Sequence, residues 1–318
     1  MKSVRIRGDG IAAWCCARLL SNHGIAVTIE RPTPRARPWI LVNQPAQRLL
    51  CDFAGDPDLF RDTPKVHRRT VAWGAGSAPA SFEHCSAIVA EQDLLDRLWP
   101  MIPESHEPAE WSIVASGAKP MQDFGSRVAS VSEVELRASR GACWIESFDQ
   151  GWLFLIAGAN ASGRLISVGA PAPDLLRSSR VIAPEIDAVG AASGQFPAHP
   201  RILSPMFAED WLACGSAAMT LDPLCGDGCG HALREAILAA AVIRGGAEPA
   251  MLEHYESRLR LAFDRHLAMC RDFYVAGRSG AWWDQEIARL EEGLTWTRAH
   301  AAGQWRYRLE GFDLIAAR

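Results

Sequence analysis

No stretch of the 318-residue chain comes near 18 uninterrupted apolar residues, the length a membrane-spanning helix needs. The opening residues, MKSVRIRGDG, reach glycine and aspartate before an apolar secretory core can form. A cytoplasmic location is the expectation. Runs of Lys or Arg are missing too, and a formal charge of -4 with a pI near 6.2 leaves no electrostatic footprint for nucleic acid. Nine cysteines, an odd number, lack the paired spacing of a zinc site, so they are read as reduced thiols with no bound metal. There is no internal repeat. What is present, 48% hydrophobic and 22% charged residues, can bury a large core and form two interleaved domains.

The clearest local pattern is VRIRGDGIAAWCCARLLSNHGIAVTIER. Gly8, Gly10 and Ala13 stand at GxGxxA spacing after a short strand, and Ala12, Cys15, Cys16, Leu19 and Leu20 form one helix face. Each small residue has a task. Gly8 allows a tight turn, Gly10 lets the backbone approach a pyrophosphate, and Ala13 keeps helix and strand close, while the helix N-terminus offers free N–H groups. Glu30, ending the next strand, is placed to accept hydrogen bonds from a ribose. A ligand-free strand-turn-helix is the plainer alternative. Arg5 and Arg7 fit poorly in a buried parallel strand: either it is partly exposed or the guanidiniums have partners.

Residues 32–80 are rich in proline and glycine. From Ser126 to Ala170, short segments such as CWIES, GWLFLIAG and RLISVGAP alternate with Gly, Asn, Asp and Ser, the pattern of an antiparallel sheet of hairpins. Residues 211–245 return to strand, glycine loop and helix, and Leu252, Tyr255, Leu259 and Phe263 give the next segment an amphipathic helical period. The first domain is thus split in sequence.

The stretch DWLACGSAAMTLDPLCGDGCGHALREAILAAA resembles the second flavin-binding signature of FAD-dependent monooxygenases of the aromatic-hydroxylase and flavin-halogenase superfamily. VNQPAQRLLCDFAG, IVAEQDLLDRLW, WSIVASG, GWLFLIAG and RDFYVAGRSGAWWDQE look like further parts of that family. The resemblance implies an α/β fold, α+β overall. A discontinuous, Rossmann-like FAD domain (1–55, 86–118 and 204–245) is interrupted by an antiparallel substrate domain (56–85 and 119–203), and a helical segment (246–318) closes the chain.

By that resemblance Gly215, Ser216, Asp222, Pro223, Gly226 and Gly228 join the cofactor site, with Pro223 beside the reactive edge of the ring. The loop glycines would turn main-chain N–H groups to the pyrimidine edge, where the following helix adds its positive end. Ser216 stands where the family has an aspartate for the ribityl chain. Val114 replaces an acidic residue, so direct NADPH use is not supported and a separate flavin reductase or electron donor is the expected partner.

The halogenase Trp-x-Trp-x-Ile-Pro signature is half matched by Trp152, Phe154, Ile156 and Ala157. Lys65 is the sole candidate by position for a halide-relay lysine, although a surface lysine is the commoner arrangement. His231 is a candidate base or flavin contact, and Cys225 and Cys229 are candidate redox or attachment points; a packed histidine and buried thiols are the plainer alternatives. Twelve tryptophans, Trp282 and Trp283 among them, point to an aromatic surface or a core.

The activity implied is hydroxylation of an electron-rich aromatic group through a flavin hydroperoxide. The halogenase-like parts also resemble flavoprotein maturases that hydroxylate a tryptophan of a partner peptide to make a quinone cofactor. The alternatives are a halogenase, a flavin-dependent alkene reductase or dehydrogenase, and a non-catalytic FAD-binding assembly protein.

Overall fold

In the computed structural model, residues 2–31, 39–102, 108–117, 119–138, 141–300 and 306–317 are described. Strand β1 (Ser3–Arg7) leads through Gly8–Gly10 into helix α1 (Ile11–Ser21) and then β2 (Ala26–Glu30), which pairs parallel with β1 and sets Arg7 opposite Glu30. Nearly every α1 side chain is buried. A helix apolar on all sides has cover on all sides.

Next come β3 (Trp39–Asn43), α2 (Gln44–Ala54), β4 (Lys65–Ala72), β5 (Ala80–Ala90), α3 (Glu91–Leu98) and β6 (Trp111–Val114). Asn43 caps α2 by accepting from the Ala46 amide. The middle of the chain supplies β7 (Gln122–Asp123), β8 (Val128–Leu136), β9 (Ala142–Phe148), β10 (Gly151–Ala157), β11 (Ser162–Gly169), α4 (Ala172–Leu176) and β12 (Ile186–Pro197). After β13 (Arg201–Ile202), β14 (Phe207–Ala208), β15 (Trp211–Ala213) and β16 (Met219–Thr220) come the long helices α5 (Gly228–Arg244), α6 (Pro249–Gly277) and α7 (Ala281–Ala299). A hairpin, β17 (Tyr307–Glu310) and β18 (Asp313–Ala316), ends the described chain.

One sheet has the order β14-β15-β6-β1-β2, with β15, β6, β1 and β2 parallel. The larger has the order β12-β8-β11-β10-β9-β4-β5-β3 and is antiparallel except at the β4–β9 joint. That parallel joint is where two distant segments of sequence meet. β3 and all of β5 belong to the larger sheet, so boundaries at residues 55 and 86 do not follow the sheets. After residue 246, where a helical segment is expected, α6 and α7 are followed by a hairpin: Gly311, at φ +58°, turns the tail into β17–β18.

Strand β10 is buried on both faces, which is why GWLFLIAG reads as an unbroken apolar run. Trp152, Phe154 and Ile156 face the main core shared with α1 and α5, whereas Leu153, Leu155 and Ala157 face a smaller core under α4. Helices α6 and α7 close over the first face. Trp283 is fully buried there, 5.4 Å from Trp73 edge to face and 5.2 Å from Tyr274, and donates to the Phe148 carbonyl. The aromatic pair thus contributes core at Trp283 and only a half-buried ring at Trp282.

Candidate functional site

The carboxyl ends of β2, β1, β6 and β15 converge. The Gly8 amide donates to the Glu30 carbonyl, the Ala115 and Ser116 amides to Arg7, and the Cys214 amide to Val114. β1 continues to β2 on one side and has β6 on the other, a reversal of strand order that opens a crevice at the strand ends. Gly8 has φ +143°, and a Cβ there would stand 3.1 Å from Ser116 Oγ and 3.2 Å from Ala115 Cβ. A side chain there would be strained by the backbone and crowded by both neighbours.

Gly10 serves a different purpose. Its φ of -84° suits any residue, and among the described residues only Glu91 Oε1, at 3.8 Å, comes within 4 Å of a Cβ built there. No described side chain caps α1, which leaves its first amides without a side-chain acceptor, as an anion-binding helix start requires. Ala13 is fully buried behind it. Glu30 extends from β2 with its carboxylate 3.0 Å from Arg7 Nε, both side chains at least half exposed. The awkward arginines of β1 are thereby explained: Arg7 is exposed and partnered, and Arg5 is half-buried.

Gly215 brings the second turn against the first. At φ +59°, it would place a Cβ 2.7 Å from Ala12 Cβ, so the 215 turn sits directly on the first turn of α1. Its amide donates to Glu235 Oε2 of α5 at 2.9 Å. Burial pushes the Glu235 carboxyl up to about 8, against the pull of the Gly215 amide and Arg234. Ser216 is exposed, with its hydroxyl 3.4 Å from the Ala115 carbonyl.

Asp222 turns inward. Its side chain is buried, accepts from the Leu224 amide and from Tyr274 Oη, and lies 3.1 Å from Arg127 Nε. Arg127 Nη1 donates to Glu286 of α7, and Trp152 Nε1 donates to Tyr274 Oη. The Asp222 amide donates to His266 Nε2 of α6. Its carboxylate therefore braces the turn from behind, where the sequence reading had it among the cofactor contacts. Pro223 opens the one-turn helix 223–225, which ends at Gly226 with φ +63°. Gly228 is exposed, with no described heavy atom beyond its chain neighbours within 4 Å of a built Cβ.

Sequence reasoning missed Asp227, which pins this loop, and Arg69, which lies beside it. Asp227 accepts from Asn43 Nδ2 and pairs with Arg234, each at 2.7 Å, tying the start of α5 to the cap of α2. Arg69 of β4 brings Nη2 to 3.7 Å from a Cβ built at Gly226, and the same nitrogen lies 3.2 Å from His84. Their signals, an acid between two glycines and the arginine pair in HRRTVA, were too ordinary to stand out. Glu91, beside Gly10, was hidden in a helix that looked merely structural.

Among the remaining candidates Lys65 sits elsewhere, whereas Cys229 and His231 follow directly on the loop, His231 Nε2 lying 4.0 Å from Asp227 Oδ2. Lys65 Nζ donates to the Phe60 carbonyl and Gln47 and lines a separate open pocket. His231 follows the glycine loop but lines a cavity between α5 and α6. The Cys229 thiol is pushed up to about 12, by burial first and then by Glu91 and Asp227, so it stays protonated and unreactive near neutrality. The side chain of Cys225 lies outside the described residues. Among the described residues, no group of three His, Cys, Asp or Glu could hold a metal, and no helix is long and apolar enough to cross a membrane.

No protein-family model matches the chain. No curated protein matches it in sequence. Solved structures do match in shape. The peptidyl tryptophan dihydroxylase QhpG, essential for tryptophylquinone cofactor biogenesis, superposes with a TM-score of 0.75 at 18% identity over 99% of this chain and 86% of its own. The flavin-dependent halogenase CmlS gives 0.72 at 18% identity over 95% and 71%. A single-substitution variant of HpxO from Klebsiella pneumoniae, complexed with FAD, gives 0.65 at 13% identity over 94% of each chain. The two glycine turns therefore stand on the mixed α/β fold shared by flavin-dependent halogenases, the tryptophan dihydroxylase and HpxO.

Proposed function

We propose that the protein is an FAD-dependent monooxygenase that hydroxylates an electron-rich aromatic group, with tryptophan in a partner peptide as the substrate class. The observation that carries this reading is the contact of the two glycine turns, Gly215 on Ala12, beside the uncapped start of α1. The residues fit FAD. The amides after Gly10 take the pyrophosphate, Glu30 takes the adenosine ribose on release from Arg7, Ser216 reaches toward the ribityl chain, and Gly226 and Gly228 leave main-chain donors for the flavin ring. When bound, FAD supplies the activation of dioxygen.

The chain's own residues position and shield. Asn43 and Asp227 hold the 226–228 loop at the start of α5, and Asp222 supports it from behind. The apolar row Trp152, Phe154 and Ile156 is buried in the interior shared with α1 and α5 and helps to keep it dry. Hydroxylation is favoured over halogenation because Lys65 is engaged by Gln47 and Phe60, apart from the turns. Similarity of shape to QhpG, a peptidyl tryptophan dihydroxylase, supports the peptide substrate.

The test begins with protein loaded with FAD, reduced chemically without oxygen, then mixed with oxygen and a tryptophan-containing peptide. Oxygen uptake matched by a peptide heavier by whole oxygen atoms is expected. Protein that stays colourless after incubation with FAD would overturn the cofactor reading; oxygen uptake without peptide product would overturn the substrate reading. Turnover without oxygen would assign an alkene reductase or dehydrogenase, and no turnover with any partner an assembly protein.

A further inference from the structure

Behind the glycine loop, α5, α6 and the C-terminal hairpin enclose a cavity of about 710 Å³, within the range of roughly 300–1,000 Å³ typical of small-molecule sites. Its walls are largely aliphatic. Four arginines supply its positive charge, three histidines line it beside them with His231 and His254 held toward the neutral form by burial, and Glu235 is the one acid among its lining residues. That acid is held partly neutral by burial, with a pKa of about 8.

Two of the basic groups lack the acceptors they need. His266 exposes 1% of its surface, and its Nε2 accepts from the Asp222 amide, which leaves the ring proton on Nδ1. That Nδ1 has no hydrogen-bond partner among the described residues, and leaving a buried donor unpaired is unfavourable. Arg265, exposed on the same helix, has no ion pair among the described residues, whereas Arg234 and Arg308 are satisfied by Asp227 and Glu310. Burial, and after it the neighbouring Arg265, depresses the Arg258 guanidinium, so the two cations are close enough to repel. The adjacent Arg258 and Arg265, the latter without an acceptor among the described residues, and the unpaired His266 Nδ1–H, around an aliphatic interior, are complementary to an anion that carries an apolar body.

We propose that this cavity is a binding site for an amphipathic organic carboxylate, its anionic end taken by Arg258, Arg265 and His266 and its apolar body lying along Leu238, Leu259 and Leu309. The site does not depend on the flavin. It is nevertheless coupled to the loop, because Glu235 holds the Gly215 amide and His266 holds the Asp222 amide.

The test is calorimetric titration of the full chain with octanoate, using octanol and inorganic phosphate as controls for the two halves of the ligand. Octanoate should bind once per chain, at least tenfold more tightly than either control, and Arg265→Ala and Arg258→Ala should each weaken it about tenfold. Arg265 is exposed, so its variant should melt at the wild-type temperature without ligand, separating lost binding from lost folding. Absence of saturable octanoate binding, equal binding of octanol, or an unchanged affinity in both arginine variants would overturn the proposal. Tighter binding of phosphate than of octanoate would also overturn it, by assigning a site for a bare anion.

Discussion

Arg127 Nε lies 3.1 Å from Asp222 Oδ2, and neither side chain exposes any surface. The nitrogen is close enough for an ion pair yet is not aligned to donate a hydrogen bond, and Arg127 Nη2 has no partner among the described residues. The pair is held by its surroundings: Tyr274 and the Leu224 amide serve Asp222, and Glu286 serves Arg127.

Removing one member should therefore cost more than the pair contributes. Asp222→Ala leaves a buried guanidinium with Glu286 alone and is expected to lower stability by about 3–5 kcal/mol, measured by urea unfolding. Glu286→Gln, which retains its bonding to Ser126, should cost less. A loss below about 1 kcal/mol for Asp222→Ala would mean that the network relaxes around the gap.

Gly10→Val should fold normally, because the space beside it is open apart from Glu91. Its FAD affinity should fall at least tenfold as the branched side chain fills the approach to the amides of α1. Glu30→Gln should weaken FAD only a few-fold, since the neutral amide still bonds a ribose hydroxyl. Fluorescence titration with FAD measures both, and undiminished affinity in Gly10→Val would remove the pyrophosphate from this turn.

Gly228→Val tests the loop. No described heavy atom obstructs a side chain there, so the variant should retain its fold while the added bulk keeps main-chain donors from the ring. A lower reduction potential than wild type, followed by dye equilibration in fully loaded protein, is expected. An unchanged potential would place the glycine away from the pyrimidine edge.

Glu235 should make stability depend on pH. Its folded pKa is raised to about 8 from an ordinary value of 4.5, so between those values the folded chain keeps a proton that the unfolded chain has released. Stability from this group is full below pH 4.5, declines as pH rises, and levels off above 8. From pH 5.5 to 8.5 the wild type should lose roughly 3 kcal/mol more than Glu235→Gln. Parallel losses in the two proteins, by urea unfolding at each pH, would show that the carboxyl is already ionised when folded.

Val114 bears on the supply of electrons: it ends β6 where the monooxygenases that the sequence resembles have an acid, and the Gly8–Ala13 turn is the one GxGxxA turn for a dinucleotide in the sequence. Anaerobic mixing of FAD-loaded protein with NADH or NADPH, with and without aromatic substrate, should bleach the flavin slowly until a flavin reductase is added. Rapid bleaching by either nucleotide alone would make the chain self-sufficient.

Features governed by neighbours in sequence were legible from it. The Gly8–Gly10 turn, the apolar face of α1, the hairpins from β9 to β11 and the period of α6 each follow from a few consecutive residues. The bracing of Asp222 was hidden, because Arg127, His266, Tyr274 and Glu286 come from separate parts of the chain and no local spacing relates them. Strand β10 conceals its alternation because both faces are covered. The place of His231 in sequence beside the glycine loop likewise says nothing of the helix face it occupies, which lines a cavity.

The parallel joint between β4 and β9 also fixes an order of events. Residues 39–90 form β3, β4 and β5 early in synthesis, but β4 has no second neighbour until β9, at 142–148, has been made. The smaller sheet waits longer still, since β6 is an open edge until β15 arrives at residue 211. Both sheets thus have unpaired edges during translation, a state prone to wrong pairing. A nascent chain stalled before residue 211 is therefore expected to depend on chaperones, and refolding of the full chain to be slowed by these distant pairings.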